Sequence, residues 1–296
     1  MPGGVEVLLL DNGSSDGSAA HVRRRYPDVR VVELGRNLGW SGGNNRGIRE
    51  ASGKSYIVLL NNDTTARPGW LAALVAAAQS NPEVGAVQPK LVFRGRADVI
   101  QNAGIVLLSD GSAGDRGAGQ VDRGQFDRQE EVFGGCGAAL LLRREMLADV
   151  GDFDETFFAY YEDTDLAWRM RLRGWRAIFE PSAVVEHVHA ATNRPASTLM
   201  RFYADRNRLF TVLKNAPWAF VRTSFASLGR RGLVARPGAT VGRGRGHRAR
   251  VAGSFAVRLP EMLLKRREIR SRRCVPDVDV LAWLQPRDEW DRRLSG

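Results

Sequence analysis

Cysteine is scarce in this sequence. Only Cys136 and Cys274 occur among 296 residues, too few and too far apart for a disulfide framework or a thiolate metal site, and the expectation is a reducing compartment with both thiols as small buried hydrophobes. Long apolar runs are missing too, and none approaches the about 20 residues that a membrane-spanning helix needs. Met1 to Val7 carry no basic cluster ahead of an apolar stretch, so no secretory signal is expected and a cytoplasmic location follows. Basic excess is absent from the first two thirds: residues 1–200 hold 22 Lys and Arg against 25 Asp and Glu, and residues 201–296 hold 22 against 8. The net charge of +11 therefore belongs to the last third. Such a tail suits an anionic membrane surface, and would place the protein peripherally on the inner face of the cell membrane. A solvated Arg-rich helical tail is the plainer alternative. Without interleaved aromatics or a known motif, specific nucleic-acid binding is not expected.

What is present is enough apolar residue (43%) for a substantial core. Over the first ninety residues, short β-branched or Leu-rich runs alternate with helical stretches. Val5–Leu10, Arg30–Leu34, Tyr56–Leu60 and Val84–Gln88 read as strands, and Ser18–Arg25, Gly42–Ala51 and Pro68–Gln79 as helices. That alternation implies an α/β, doubly wound, mainly parallel sheet flanked by helices, with ligands at the carboxyl ends of the strands. Residues 91–131 read as excursions with one weak strand at Ile105–Leu108. A helix from about Thr164 to Arg173, strands at Trp175–Phe179 and Ala183–His187, and a long helix at Pro195–Asn215 follow. Arg236–Arg250 reads as mobile, ahead of a basic helix around Leu259–Arg273. The division expected is a domain over 1–215 and a basic, partly helical extension over 216–296.

Polar clusters stand at the strand ends. Asp11-Asn12-Gly13-Ser14-Ser15-Asp16-Gly17-Ser18 closes the first strand, and Asp11 could accept from a nucleotide base; taken alone, it is a strand-to-helix turn with Ser15 or Asp16 as cap. Asn37 to Asn45, with Gly42 between, could let backbone approach a diphosphate or sugar. Asn61-Asn62-Asp63-Thr64 ends a buried strand in a carboxylate, which suits a hard divalent cation or a simple turn cap. The sharpest cluster runs from Phe153 to Leu166, where Glu162, Asp163 and Asp165 share a helix start with neighbouring aromatics. A helix N-terminus holds a carboxylate ionised while aromatic walls restrict water, an arrangement for a general base with a second acid to orient it. N-terminal capping accounts for Asp163 or Asp165 just as cheaply. His187-Val188-His189 follows a strand, and one of these imidazoles could ligate a metal.

In order, these segments resemble the family-2 glycosyltransferases of the GT-A fold, in particular a rhamnosyltransferase-like branch. The resemblance is carried by Asp11 to Ser18, Asn37 to Asn45, Leu60 to Thr64, Gly151 to Leu166, His187 with Thr192, and Arg206-Asn207-Arg208. It implies an inverting transfer of a sugar, rhamnose if the branch holds, from a nucleotide-diphosphate sugar to a hydroxyl of a glycan or lipid-linked acceptor. It further implies donor contacts from Asp11, Asn12, Asn37, Gly42, Asn45 and Asn61, a magnesium or manganese ion held by Asp63 and His187, and Asp163 as catalytic base with Glu162 beside it. Asn61 stands where the family more often has Asp, and the family's first strand and helix have no counterpart ahead of Val5. A degenerate, non-catalytic sugar-nucleotide binder is the alternative reading.

Overall fold

The computed structural model describes residues 4–188, 197–231 and 244–295. His189 and Thr192, and most of the Arg236–Arg250 stretch, lie outside them. The chain opens with β1 (Leu8–Asp11), α1 (Ser18–Arg25), β2 (Arg30–Glu33), α2 (Gly39–Glu50), β3 (Tyr56–Leu60), β4 (Thr64–Ala66), α3 (Trp70–Gln79) and β5 (Val84–Phe93). It continues through β6 (Arg96–Asn102), β7 (Ile105–Leu108), β8 (Ala113–Asp115), β9 (Glu130–Val132), β10 (Ala139–Arg143), α4 (Arg144–Val150), α5 (Glu162–Leu172) and β11 (Arg176–His187). Then come α6 (Thr198–Asn215), α7 (Trp218–Arg231), α8 (Arg245–Ser271), α9 (Asp277–Leu281), β12 (Leu284–Gln285) and α10 (Arg287–Ser295).

The main sheet runs β3-β10-β5-β11-β4, with β6 added to β5 and β9 to β11. β5 and β11 are parallel, but β10 lies antiparallel between β3 and β5. The sheet is thus mixed, where alternation alone suggested mainly parallel pairing. β10 can occupy this inner slot because Ala139–Leu142 are apolar on both faces. β1 and β2 form a separate parallel pair.

Two strands were expected, at Trp175–Phe179 and Ala183–His187, on either side of Pro181. Instead β11 runs through it with a register shift between Glu180 and Val184, opposite Pro89 of β5. Proline cannot donate to the ladder, and a local bulge accommodates two of them without ending the strand. The 91–131 region is more ordered than its Gly and Asp content suggests. It carries β6 to β9, because Val99, Ile100 and Ile105–Leu108 are buried. β12 returns from the C-terminus to pair with β7.

α5 is buried on nearly all sides, with Leu166, Trp168, Met170 and Leu172 in the interior. α8 packs along α6 and sends Val251 and Met262 into the core, while Val280 of α9 joins the cluster around Phe157, Trp168 and Phe210. Arg245–Arg250, expected to be mobile, begins this helix. Cys136 is half-buried and Cys274 is exposed, so the expectation of two buried thiols fails at Cys274.

Candidate active site

The carboxyl ends of β1, β3 and β11, the start of β10 and the start of α5 converge. Asp11, buried at the end of β1, accepts from Ser14 N at 2.9 Å. Asn12 ties that turn to the next one: it donates from Nδ2 to Gly39 O at 2.9 Å and accepts Leu38 N at 2.7 Å. Asn37 accepts Gly39 N at 2.8 Å. Gly39 has φ of 76°, and a Cβ there would meet the Phe158 carbonyl oxygen at 2.5 Å, so any side chain would collide with backbone. Gly42 is packed nearly as closely, with a Cβ meeting Leu38 Cβ at 2.9 Å. Asn45 faces inward. Its amide donates to Phe153 O at 2.8 Å and Glu155 at 3.1 Å, and its carbonyl accepts Phe153 N at 3.0 Å.

At the end of β3, Asn61 Oδ1 accepts from Trp40 Nε1 at 3.4 Å, and Asn61 N donates to Ala138 O at 2.9 Å. Asp63 Oδ1 lies 3.0 Å from His187 Nε2, across 124 positions of sequence. The other ring nitrogen of His187, Nδ1, lies 2.8 Å from Gln101 Nε2 and 2.9 Å from Gln101 Oε1. Gln101 can therefore serve either imidazole tautomer by turning its amide, the kind of outer partner that orients a metal-binding histidine. A carboxylate and an imidazole meeting in this way fit a divalent cation, although the described residues hold no cluster of three or more His, Cys, Asp or Glu. Phosphate oxygens and water would have to complete the coordination.

The acid cluster divides in two. Asp163 stands at the cleft: Oδ2 accepts Gly137 N at 3.3 Å and Oδ1 accepts Thr164 N at 2.7 Å. Burial pushes its carboxyl up to about 6, against the pull of those two backbone donors. Glu162 is buried, its Oε2 has no hydrogen-bond partner among the described residues, and burial followed by the neighbouring Asp163 charge pushes it well above the ordinary carboxylate range. The member of the pair with backbone donors ionises first, and Glu162 holds its proton longer. Gly137, which donates to Asp163, is itself pressed beneath Trp40: a Cβ on it would meet the Trp40 ring at 2.4 Å. Trp40 thus touches both Asn61 and the support of Asp163.

Asp165, the third acid, is turned away from the cleft. It is fully buried and accepts from Lys214 Nζ at 2.9 Å, Asn215 Nδ2 at 2.8 Å and Arg169 Nε at 3.0 Å. Lys214 also reaches Asp154 at 2.6 Å, and Asp154 meets Lys265 of α8 at 2.7 Å. Burial opposes ionisation of both aspartates, but the lysine charges win and hold both below the ordinary range. Sequence reasoning missed Lys214, Lys265 and Gln101, which carry no motif. Arg206 and Asn207 were visible only as part of a recurring triplet.

Comparison with known proteins accords with this geometry. The sequence profile of Glycosyl transferase family 2 matches residues 2–151. Over 232 residues the chain is 32% identical to the N-acetylglucosaminyl-diphospho-decaprenol L-rhamnosyltransferase of Mycobacterium tuberculosis, covering 69% of this chain and 76% of that one. It is 30% identical over 197 residues to the O-antigen biosynthesis protein RfbC of Myxococcus xanthus, covering 64% of this chain but 15% of that larger protein. Among solved structures, GalNAc-T7 with UDP, GalNAc and Mn2+ superimposes with a TM-score of 0.60 at 14% identity, over 92% of this chain and 52% of that one, which establishes the GT-A fold. This chain, with its polar strand ends and its paired acids at the start of α5, belongs to glycosyltransferase family 2 and is an enzyme of that kind.

Proposed function

We propose that this glycosyltransferase moves a sugar, with rhamnose as the leading candidate, from a nucleotide-diphosphate donor to a hydroxyl of a lipid-linked or glycan acceptor, inverting the anomeric centre. The observation that carries the reading is Asp163. It is a carboxyl that burial pushes up to about 6, held by Gly137 directly beneath the Trp40 that touches Asn61. Asp163 takes the proton of the acceptor hydroxyl as that oxygen attacks the anomeric carbon. The bond from that carbon to the diphosphate breaks on the opposite face, and its electron pair leaves with the nucleoside diphosphate. Gly137 N and Thr164 N orient Asp163, and Glu162, buried beside it, keeps its own proton. Asp11 and Asn61 face the donor, and Asn12, Asn37 and Asn45 hold the turns that shape its pocket. Asp63 and His187 would hold a divalent cation, magnesium or manganese, which when bound supplies positive charge to the leaving diphosphate.

The relative in Mycobacterium acts, by its name, on a decaprenol-linked sugar, and this favours a lipid-linked acceptor. No helix among the described residues is long and apolar enough to cross a membrane. Exposed Val257, Leu264 and Trp218 lie among exposed arginines of the C-terminal helices, a surface that suits peripheral contact with anionic lipid.

The test is a screen of nucleotide-sugars, rhamnosyl donors included, for hydrolysis and transfer. Turnover with one donor should stop in excess chelator and return with manganese or magnesium. Full activity in chelator, or unchanged manganese affinity in Asp63→Ala, would sink the metal assignment.

A further inference from the structure

The segment between the short 3-10 turn at Glu155–Phe157 and α5 is strained. Phe158, Tyr160 and Tyr161 have φ of 65°, 70° and 70°, a region that residues with side chains avoid, and aromatic ones especially. Phe158 also has ψ of −59°, and Ala159 N bonds Phe157 O at 2.8 Å, which makes it the centre of a tight three-residue turn of the rare, strained kind.

The segment is held from α6. Asn207, fully buried, brings the two N–H donors of Nδ2 within hydrogen-bond distance of three carbonyls of the segment: Phe157 O at 2.9 Å, Ala159 O at 2.8 Å and Tyr160 O at 2.8 Å. Arg206 beside it donates to Thr156 O at 2.8 Å and Phe157 O at 3.2 Å, and fixes the Asn207 amide by donating to its Oδ1 at 2.8 Å and 3.0 Å. The Arg206 guanidinium is itself set among the rings of Phe202, Tyr203 and Phe210. The segment they grip touches both halves of the cleft. The Phe158 carbonyl accepts Ser41 N at 3.2 Å at the start of α2 and abuts Gly39. Tyr161, at the other end, is the residue on which α5, and with it Glu162 and Asp163, begins.

We propose that Asn207, locked by Arg206, is the positioning residue of the transfer site: it holds residues 157–161 in their strained form and so sets Asp163 against the donor-side turn at Gly39–Ser41. The part concerning Asp163 rests on the proposed role of that carboxylate as base. The gripping of the segment does not.

The experiment uses Asn207→Ala and Asn207→Asp in the full chain. Asp keeps the volume and the pairing with Arg206 but loses the N–H donors, so it reports on the grip even if Ala unfolds. Turnover should fall about 10²-fold, as a displacement of about 1 Å in a catalytic group typically causes. Donor KM should stay within about threefold, because the loss lies in the transition state. Amide hydrogen exchange at 158–161 should quicken while the core strands stay protected. Adding Tyr160→Gly, which removes the side-chain cost of the left-handed conformation, should shrink the effect of Asn207→Asp at least about tenfold relative to its effect in the parent. The proposal is overturned if exchange at 158–161 is unchanged in folded Asn207→Asp, or if the cycle is additive. Should Asp163→Asn keep full turnover while exchange and turnover still respond to Asn207, the base assignment alone has failed.

Discussion

Replacing Asp163 with Asn should make the protein more stable and nearly inactive at the same time. In the parent, burial lifts this carboxyl from 3.8 to about 6, a difference of about 2 units at about 1.4 kcal/mol each. The folded state thus binds the Asp163 proton more tightly than the unfolded chain does. The associated stability is full below pH 3.8, is lost as pH rises towards about 6, and stays lost above it. At pH 7.5 the parent therefore forgoes about 3 kcal/mol that a neutral side chain would not. Against this gain, the amide can keep the bond from Thr164 N but turns an NH2 group towards Gly137 N, which costs about 1 kcal/mol. The net expectation is about 2 kcal/mol, or roughly 4 °C in Tm for a domain of this size. Turnover should drop about 10²–10⁴-fold. Thermal melts of parent and variant at pH 7.5 and 5, beside donor turnover at pH 7.5, are the assay. A variant less stable than the parent at pH 7.5, a Tm difference equal at both pH values, or retained turnover would refute the reasoning.

Lys214→Met should be destabilising by about 3 kcal/mol at pH 7, the low end for breaking a buried pair, because it leaves the ionised, buried Asp165 with the Arg169 charge and removes one of the two lysines on Asp154. Both carboxylates sit below their ordinary range, so the stability they bring is present above the unfolded value of 3.8 and fades as pH falls through their lower folded values. The penalty should accordingly shrink in urea melts below pH 4, and a loss under about 1 kcal/mol at pH 7 would contradict the network. For the membrane surface, Arg267→Glu with Arg273→Glu should weaken cosedimentation with anionic vesicles while leaving donor hydrolysis intact, each charge contributing about 1 kcal/mol. Equal binding by the double variant would remove lipid from the list of partners. Deleting residues 236–296 is not a clean substitute, since it takes Val251, Met262 and Val280 out of the core.

The sequence by itself determined whatever depends on neighbours in the chain. Asp11 to Ser18, the Asn37–Leu38 entry to α2 and Asn61 to Asp63 are strand-end turns whose short polar side chains and glycines act over a few residues, and they were legible as such. The start of α5 was legible for the same reason, through its acids and the aromatics before it. Tertiary structure decided the rest, because it depended on contacts across long stretches of chain. Which of three adjacent acids faces the cleft follows from how α5 is rotated against α6, and Lys214, 49 positions after Asp165, settles it. Asn45 looked available to a ligand until Phe153, 108 positions away, took its amide. His187 meets Asp63 and Gln101 only because β11 ends beside the β3–β4 turn and β6. The strain in residues 158–161 is likewise invisible in their letters, since aromatic residues disfavour that backbone, and the buried amide and guanidinium that bind carbonyls of the segment come from α6, about 50 positions away.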